Sequence, residues 1–243
     1  MKVYLVGAGP GDPELITLKA KRILEEANIV FYDQLVSSKI LSFCNSSVEL
    51  YSVGKERSKH SVPQDEIHEL LLTASKKFKT VVRLKGGDPS IFGRVGEEYF
   101  FLLKNGIDVE IIPGITTASG SSASIGMPLT HRDFSSEVIF ITGHSKNGVE
   151  VSKLKNLRLK DKTLVVYMGI FSSKEIEKTL LETEENFEMK AMVIENATLE
   201  SERVVTCNLN ELNKTIIEKE IKSPSLIIIG DIVKFYLEKE KLK

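Results

Sequence analysis

The sequence predicts an α/β protein of two domains, the first on a mainly parallel sheet and the second on a mixed one. Short β-branched or aromatic runs recur along the whole chain, helical patterns separate most of them, and a stretch rich in Gly, Ser, Thr and Pro at 113–134 divides them into two sets. Alternation of strand and helix builds βαβ units, and therefore parallel pairing.

The runs in the first half are VYLV at 3–6, IVFY at 29–32, VELYSV at 48–53, TVVRL at 80–84 and VEIIP at 109–113. Helical patterns at 14–27, 63–78 and 95–105 lie between them. The stretch 113–134 has linker-like composition, but the small residues between Ile115 and Ile125 also suit a helix packed closely against a neighbour. The second set is VIFIT at 138–142, TLVVYM at 163–168, AMVIE at 191–195, RVVTC at 203–207 and SLIIIG at 225–230, with helical patterns at 173–185, 209–219 and 231–240. The runs at 191–195 and 203–207 leave no room for a crossover helix, so this pair is expected to be antiparallel. The domains are placed at 1–131 and 132–243.

Composition narrows the function. With 33 basic against 34 acidic residues the formal charge is −1, so no global field attracts nucleic acid or an anionic membrane. No apolar run approaches the ~20 residues of a membrane span, and the N-terminus carries no signal-peptide core. Cys44 and Cys207 form no CxxC, which points to a reduced, cytoplasmic setting, and four histidines without ligand spacing suggest no metal.

The segment VYLVGAGPGDPELITLKAKRILEEA is a strand, a glycine turn and a helix, with Asp12 as N-cap and Pro13 at the first helical position. A dinucleotide fingerprint starting at Gly7 and Gly9 needs glycine where Asp12 stands, and the Gly-Lys-Ser/Thr of a Walker loop is missing. An acid at the turn repels phosphate and suits a neutral or cationic ligand, although a cap with no other duty also accounts for Asp12.

VGAGPGDPELITLKA resembles the opening of the tetrapyrrole C-methyltransferases, and among them the uroporphyrinogen-III C-methyltransferases. YDQLVS at 32–37, VGK at 53–55, HSVPQDEI at 60–67, VVRLKGGDPSIFGRVGEE at 81–98, IPGITTASGSSASIGMPLTHRD at 112–133, ITGH at 141–144, YMG at 167–169 and SPSLIIIG at 223–230 continue the likeness in the same order. The resemblance covers nearly the whole chain and implies a stand-alone form, without the dehydrogenase and chelatase module of fused sirohaem synthases. It implies transfer of methyl groups from S-adenosylmethionine to ring carbons 2 and 7 of uroporphyrinogen III, a cofactor cleft between the domains, and a homodimer.

Methyl transfer from a sulfonium is an in-line displacement that needs a placed nucleophilic carbon and a base for the proton later lost. Asp33 ends the apolar strand IVFYD, where an acid could also hold ribose hydroxyls or simply face solvent; the resemblance makes it the proton acceptor. Lys55 matches a proton donor, and an ordinary ion pair is the alternative. Gly86, Gly87, Asp88 and Ile91, in a second glycine turn after a strand, match positions that bind S-adenosylmethionine. So do Pro10, Thr116, Thr117 and Met168. On its own Met168 reads as core. Ala197 stands where the family has glycine, which serves if the contact is made by backbone but not if the position needs positive φ. An acceptor with eight carboxylates needs cations, and Arg83, Lys85, Arg94, His131 and Arg132 are weighed as anchors, with Arg94 and Arg132 favoured by their place in the glycine and THRD segments. His60 reads as a loop residue. The rival readings are a methylase of a later corrinoid precursor, a diphthine synthase-like enzyme, a non-catalytic relative and, from another class, a nicotinamide dehydrogenase.

Overall fold

The computed structural model describes residues 1–54, 62–144 and 151–242. The chain packs as two units, Met1–Thr117 and Ala118–Lys243. This division falls earlier than 131/132 because the small-residue segment is a helix, α5 (Thr117–Ser124), whose Ala118, with the following Ile125 and Met127, joins the core of the second unit.

The first unit holds β1 (Lys2–Gly7), β2 (Ile29–Tyr32), β3 (Glu49–Ser52), β4 (Thr80–Lys85) and β5 (Asp108–Ile112), ordered β3-β2-β4-β1-β5 and parallel throughout. The central strands are covered on both faces, which is why they read as continuous apolar runs. Side chains alternate between two cores. Val3, Leu5, Phe31 and Val81 pack against α3 (Gln64–Ser75) and α4 (Val95–Lys104) through Ile67, Leu71, Val95 and Leu102. Val6, Val30, Val82 and Leu84 pack against α1 (Leu18–Glu25) and the short α2 (Ser38–Leu41) through Ala20, Leu24 and Ile40.

Two local details differ from the sequence reading. Asp12 caps a single 3-10 turn, Pro13–Leu15, with Oδ1 accepting from the Glu14 N–H at 2.9 Å. The α-helix starts afresh at Leu18, where Thr17 Oγ1 accepts from the Ala20 N–H at 3.1 Å. The pattern at 173–185 likewise divides into α6 (Ser173–Leu180) and a 3-10 turn, Glu184–Asn186.

The second sheet contains β6 (Glu137–Thr142), β7 (Lys162–Tyr167), β8 (Lys190–Glu195), β9 (Arg203–Asn208) and β10 (Ser225–Ile229), ordered β6-β7-β10-β8-β9. Only β6 and β7 are parallel, and β8 and β9 pair antiparallel as their short connection requires. Leu164, Val166, Ile227 and Ile229 face α6 and α7 (Leu212–Glu218). Val165, Met192, Leu226 and Ile228 face α5 and α8 (Ile232–Glu240).

Candidate functional site

In an open parallel sheet, ligands bind beyond the carboxyl ends of the strands. In the first unit that edge carries the glycine turns. Gly9 and Gly87 form an antiparallel bridge, the Gly87 N–H donating to Gly9 O at 2.7 Å and the Gly9 N–H to Gly87 O at 3.2 Å. Gly9 and Gly87 have φ of +77° and +67°. Gly7, Gly87 and Gly114 meet backbone to backbone: a Cβ on Gly114 would lie 2.3 Å from Gly87 O, and one on Gly7 would lie 2.6 Å from Gly114 N. The loops after β1, β4 and β5 are thereby fused into one rim.

Asp88 holds this rim together. Its Oδ1 accepts from the Ser90 N–H at 2.7 Å and its Oδ2 from the Gly114 N–H at 3.0 Å. Pro10 and Ile91 are partly buried in the flanking turns. Thr117 places Oγ1 3.8 Å from where a Cβ of Gly87 would stand, and with Thr116 it leads into α5.

Beneath the rim lies a set of buried charges that the sequence reading did not assemble. Arg83 and Lys85 occupy alternate positions of β4 on the face toward α3 and α4, and only 2% and 4% of their surface is exposed. They are therefore not open anchors for an acidic ligand, because both are committed to Glu98 of α4, which is fully buried. Lys85 Nζ donates to the two Glu98 oxygens at 2.9 and 3.1 Å, and Arg83 Nε donates to Oε1 at 3.2 Å. Gln64 Nε2 adds a third donor to Oε1 at 3.1 Å. Burial, reinforced by the Arg83 charge, pushes the Lys85 ammonium below its ordinary pKa. Arg83 Nη2 reaches Asp33 Oδ1 at the end of β2, and the Asp33 side chain remains 31% exposed. A signal was present in the sequence: two cations at i and i+2 of an otherwise apolar strand, and an acid between Val95 and Leu102 on the core stripe of α4.

Arg94 is exposed at the start of α4 with φ of +55°, and Glu97 grips it at 2.8 and 2.6 Å. The hydrogen bond to Glu97 raises the Arg94 pKa and holds its charge. Lys55 and His60 lie outside the described residues.

In the second unit Met168 follows β7 with φ of +54° and is 50% exposed, so it is not core. A non-glycine residue held in that region is strained and marks a constrained site. Tyr167, next to it, takes an N–H of the first turn of α5, its hydroxyl accepting from the Ala118 N–H at 3.2 Å. Ala197 is buried, and the positive φ values fall on its neighbours Asn196 and Thr198, at +51° and +65°. Alanine therefore stands there without backbone strain. Arg132 is exposed, whereas His131 packs edge-on against Phe134 and tilted against Phe235, and its Nδ1 accepts from the Asp133 N–H at 3.1 Å.

One α/β unit carries a glycine rim at its parallel-sheet edge, and the other carries residues of positive φ after its strands, which places the chain in the α/β class. The profile of the Tetrapyrrole (Corrin/Porphyrin) Methylases matches residues 2–213, and the chain belongs to that family. The structure of uroporphyrin-III C-methyltransferase from Thermus thermophilus complexed with S-adenyl homocysteine is similar at 40% identity, covering 97% of this chain and 100% of that one, with a TM-score of 0.82. A cobalamin biosynthetic enzyme, cobalt precorrin-4 methyltransferase, superposes with a TM-score of 0.84 at 27% identity, covering 95% of each chain. Siroheme synthase of Pseudomonas fluorescens (strain SBW25) is 45% identical over 242 residues, 100% of this chain and 52% of that relative. The chain spans about half the length of the curated relatives it matches.

Proposed function

We propose that this protein is an S-adenosylmethionine-dependent C-methyltransferase that converts uroporphyrinogen III to precorrin-2 by methylation at ring carbons 2 and 7. The observation that carries the reading is the 40% identity, over essentially both chains, to a uroporphyrin-III C-methyltransferase complexed with S-adenyl homocysteine.

The chemistry of the rim fits that cofactor. Backbone and apolar groups dominate it, the nearby cations Arg83 and Lys85 are tied to Asp33 and Glu98, and Asp12 stands where phosphate would need a glycine. A ligand with a nucleoside and a sulfonium suits such a surface, and a pyrophosphate does not. Pro10, Gly86, Gly87, Asp88, Ile91, Thr116 and Thr117 of the first unit, with Met168 and Ala197 of the second, are the proposed cofactor residues. The cofactor supplies an electrophilic methyl group when bound. Asp33, with a partly exposed carboxylate, takes the proton that the cationic methylated macrocycle loses from another of its atoms as it returns to neutrality, and Lys55 is the proposed proton donor. Arg94 and Arg132 are exposed cations for substrate carboxylates, Arg94 by exchanging Glu97 for the ligand. A homodimer belongs to the same proposal.

Purified protein supplied with S-adenosylmethionine and enzymatically made uroporphyrinogen III is expected to release S-adenosylhomocysteine and a dimethylated product seen by mass spectrometry. Neither product appearing sinks the assignment. The likeness to the cobalt precorrin-4 enzyme favours a later corrinoid acceptor as second reading. An acceptor panel in the same assay separates the two.

A further inference from the structure

We propose that Arg83, clamped by the buried Glu98, is a positioning residue that holds the Asp33 carboxylate in its reacting orientation. The inference rests on the methyl-transfer reading above, in which Asp33 accepts a proton.

Every arm of the Arg83 guanidinium is occupied. Nε donates to Glu98, Nη1 to Leu84 O at 3.2 Å and to Phe31 O at 3.5 Å, and Nη2 to Asp33 Oδ1. These partners come from β2, β4 and α4, so the planar fork is fixed from three elements before it meets Asp33. The clamp is itself fixed: Glu98 accepts from Arg83, Lys85 and Gln64, and Gln64 Nε2 lies 3.3 Å from His68 Nε2 on α3. The two cations and two carboxylates balance, which offsets the cost of burying them. Such a set is expensive for a fold that needs only an apolar core at this position, where Val81 and Phe31 already face α3 and α4. Its output is directional. Asp33 is the only member exposed enough to meet a ligand, one of its oxygens is pinned by Arg83, and Oδ2 has no hydrogen bond among the described residues. A base held this way presents one lone-pair set without rotating about its side-chain bonds, the kind of pre-organisation that proton transfer rewards.

The test is kinetic. Arg83→Gln is expected to lower kcat about tenfold or more while the KM values for both substrates and the affinity for S-adenosylhomocysteine stay within about twofold. Arg83→Lys, which keeps a cation near Asp33, is expected to recover part of kcat. With Asp33→Asn as background, the Arg83→Gln loss should shrink to about twofold or less, because a residue acting through Asp33 has nothing left to act on. If Arg83→Gln does not fold, Glu98→Gln, which keeps the shape and one acceptor oxygen, is read the same way. The inference is overturned if kcat is unchanged, if the loss lies in KM or cofactor affinity, or if the two losses simply add. A wild-type chain inert toward every acceptor in the panel brings down the functional reading and this inference together. An active wild type with additive losses brings down this inference alone.

Discussion

At the scale of single residues, the close approach of Gly7, Gly87 and Gly114 leaves no volume for a side chain. Gly114→Ala would drive Cβ to 2.3 Å from Gly87 O and 2.9 Å from Gly7 Cα, where only backbone could yield. A loss of about 3 kcal/mol or more is expected from denaturant unfolding, and a loss under 1 kcal/mol would mean that the rim is looser than described. The cysteines make the opposite case, in which burial suppresses chemistry. Desolvation pushes the Cys44 thiol up to about 11 and raises Cys207 as well. At pH 8 Cys44 should react with a disulfide reagent about two orders of magnitude more slowly than an unhindered thiol, and Cys207 should also be slowed. Reaction at the rate of free cysteine would contradict that burial. Residue identity foretold the glycine turns at Gly9 and Gly87. It did not foretell that Arg83 and Lys85 are interior groups, because a cation's partner is fixed by folding: Glu98 lies on another element.

At the scale of elements, boundaries depended on caps. Thr17, not Asp12, opens α1, so Thr17→Ala is expected to cost about 1 kcal/mol in thermal or urea unfolding. The 3-10 turn that ends the region after α6 places Asn186, fully buried, at the junction of three segments. Its Nδ2 donates to Leu157 O at 2.8 Å and Leu180 O at 2.9 Å, and its Oδ1 accepts from the Leu159 N–H at 3.0 Å. Asn186→Ala strands Leu157 O and the Leu159 N–H, while Leu180 O keeps the Thr183 N–H at 3.3 Å, and the change is expected to cost about 3 kcal/mol by the same measurement. The ten strands were legible because their alternation and β-branching are local properties. The helix at α5 was ambiguous because Gly, Ser and Thr are weak helix formers and its small side chains make no apolar stripe, and it is packing of Ala118, Ile125 and Met127 that favours it.

At the scale of the whole molecule, the proposed cofactor site makes a ligand-linkage prediction. S-Adenosylhomocysteine at a hundred times its Kd should stabilise the folded chain by about 2.7 kcal/mol and raise its melting midpoint, whereas NAD should not. Stabilisation by NAD alone would return the glycine rim to the nicotinamide reading. By itself the sequence determined that the chain is α/β, that its first sheet is parallel and its second mixed, and that its N-terminal turn disfavours phosphate. These follow from periodicity, connection length and the charge of one residue, all of which are local in sequence. Only the tertiary structure decided that the units divide at Thr117, that Met168 is exposed with a strained backbone, that Ala197 escapes the positive φ of its neighbours, and that Arg83 ties Asp33 to Glu98. Those depend on which distant residues share a face or a loop, and burial, strain and charge pairing exist only once the chain has brought them together.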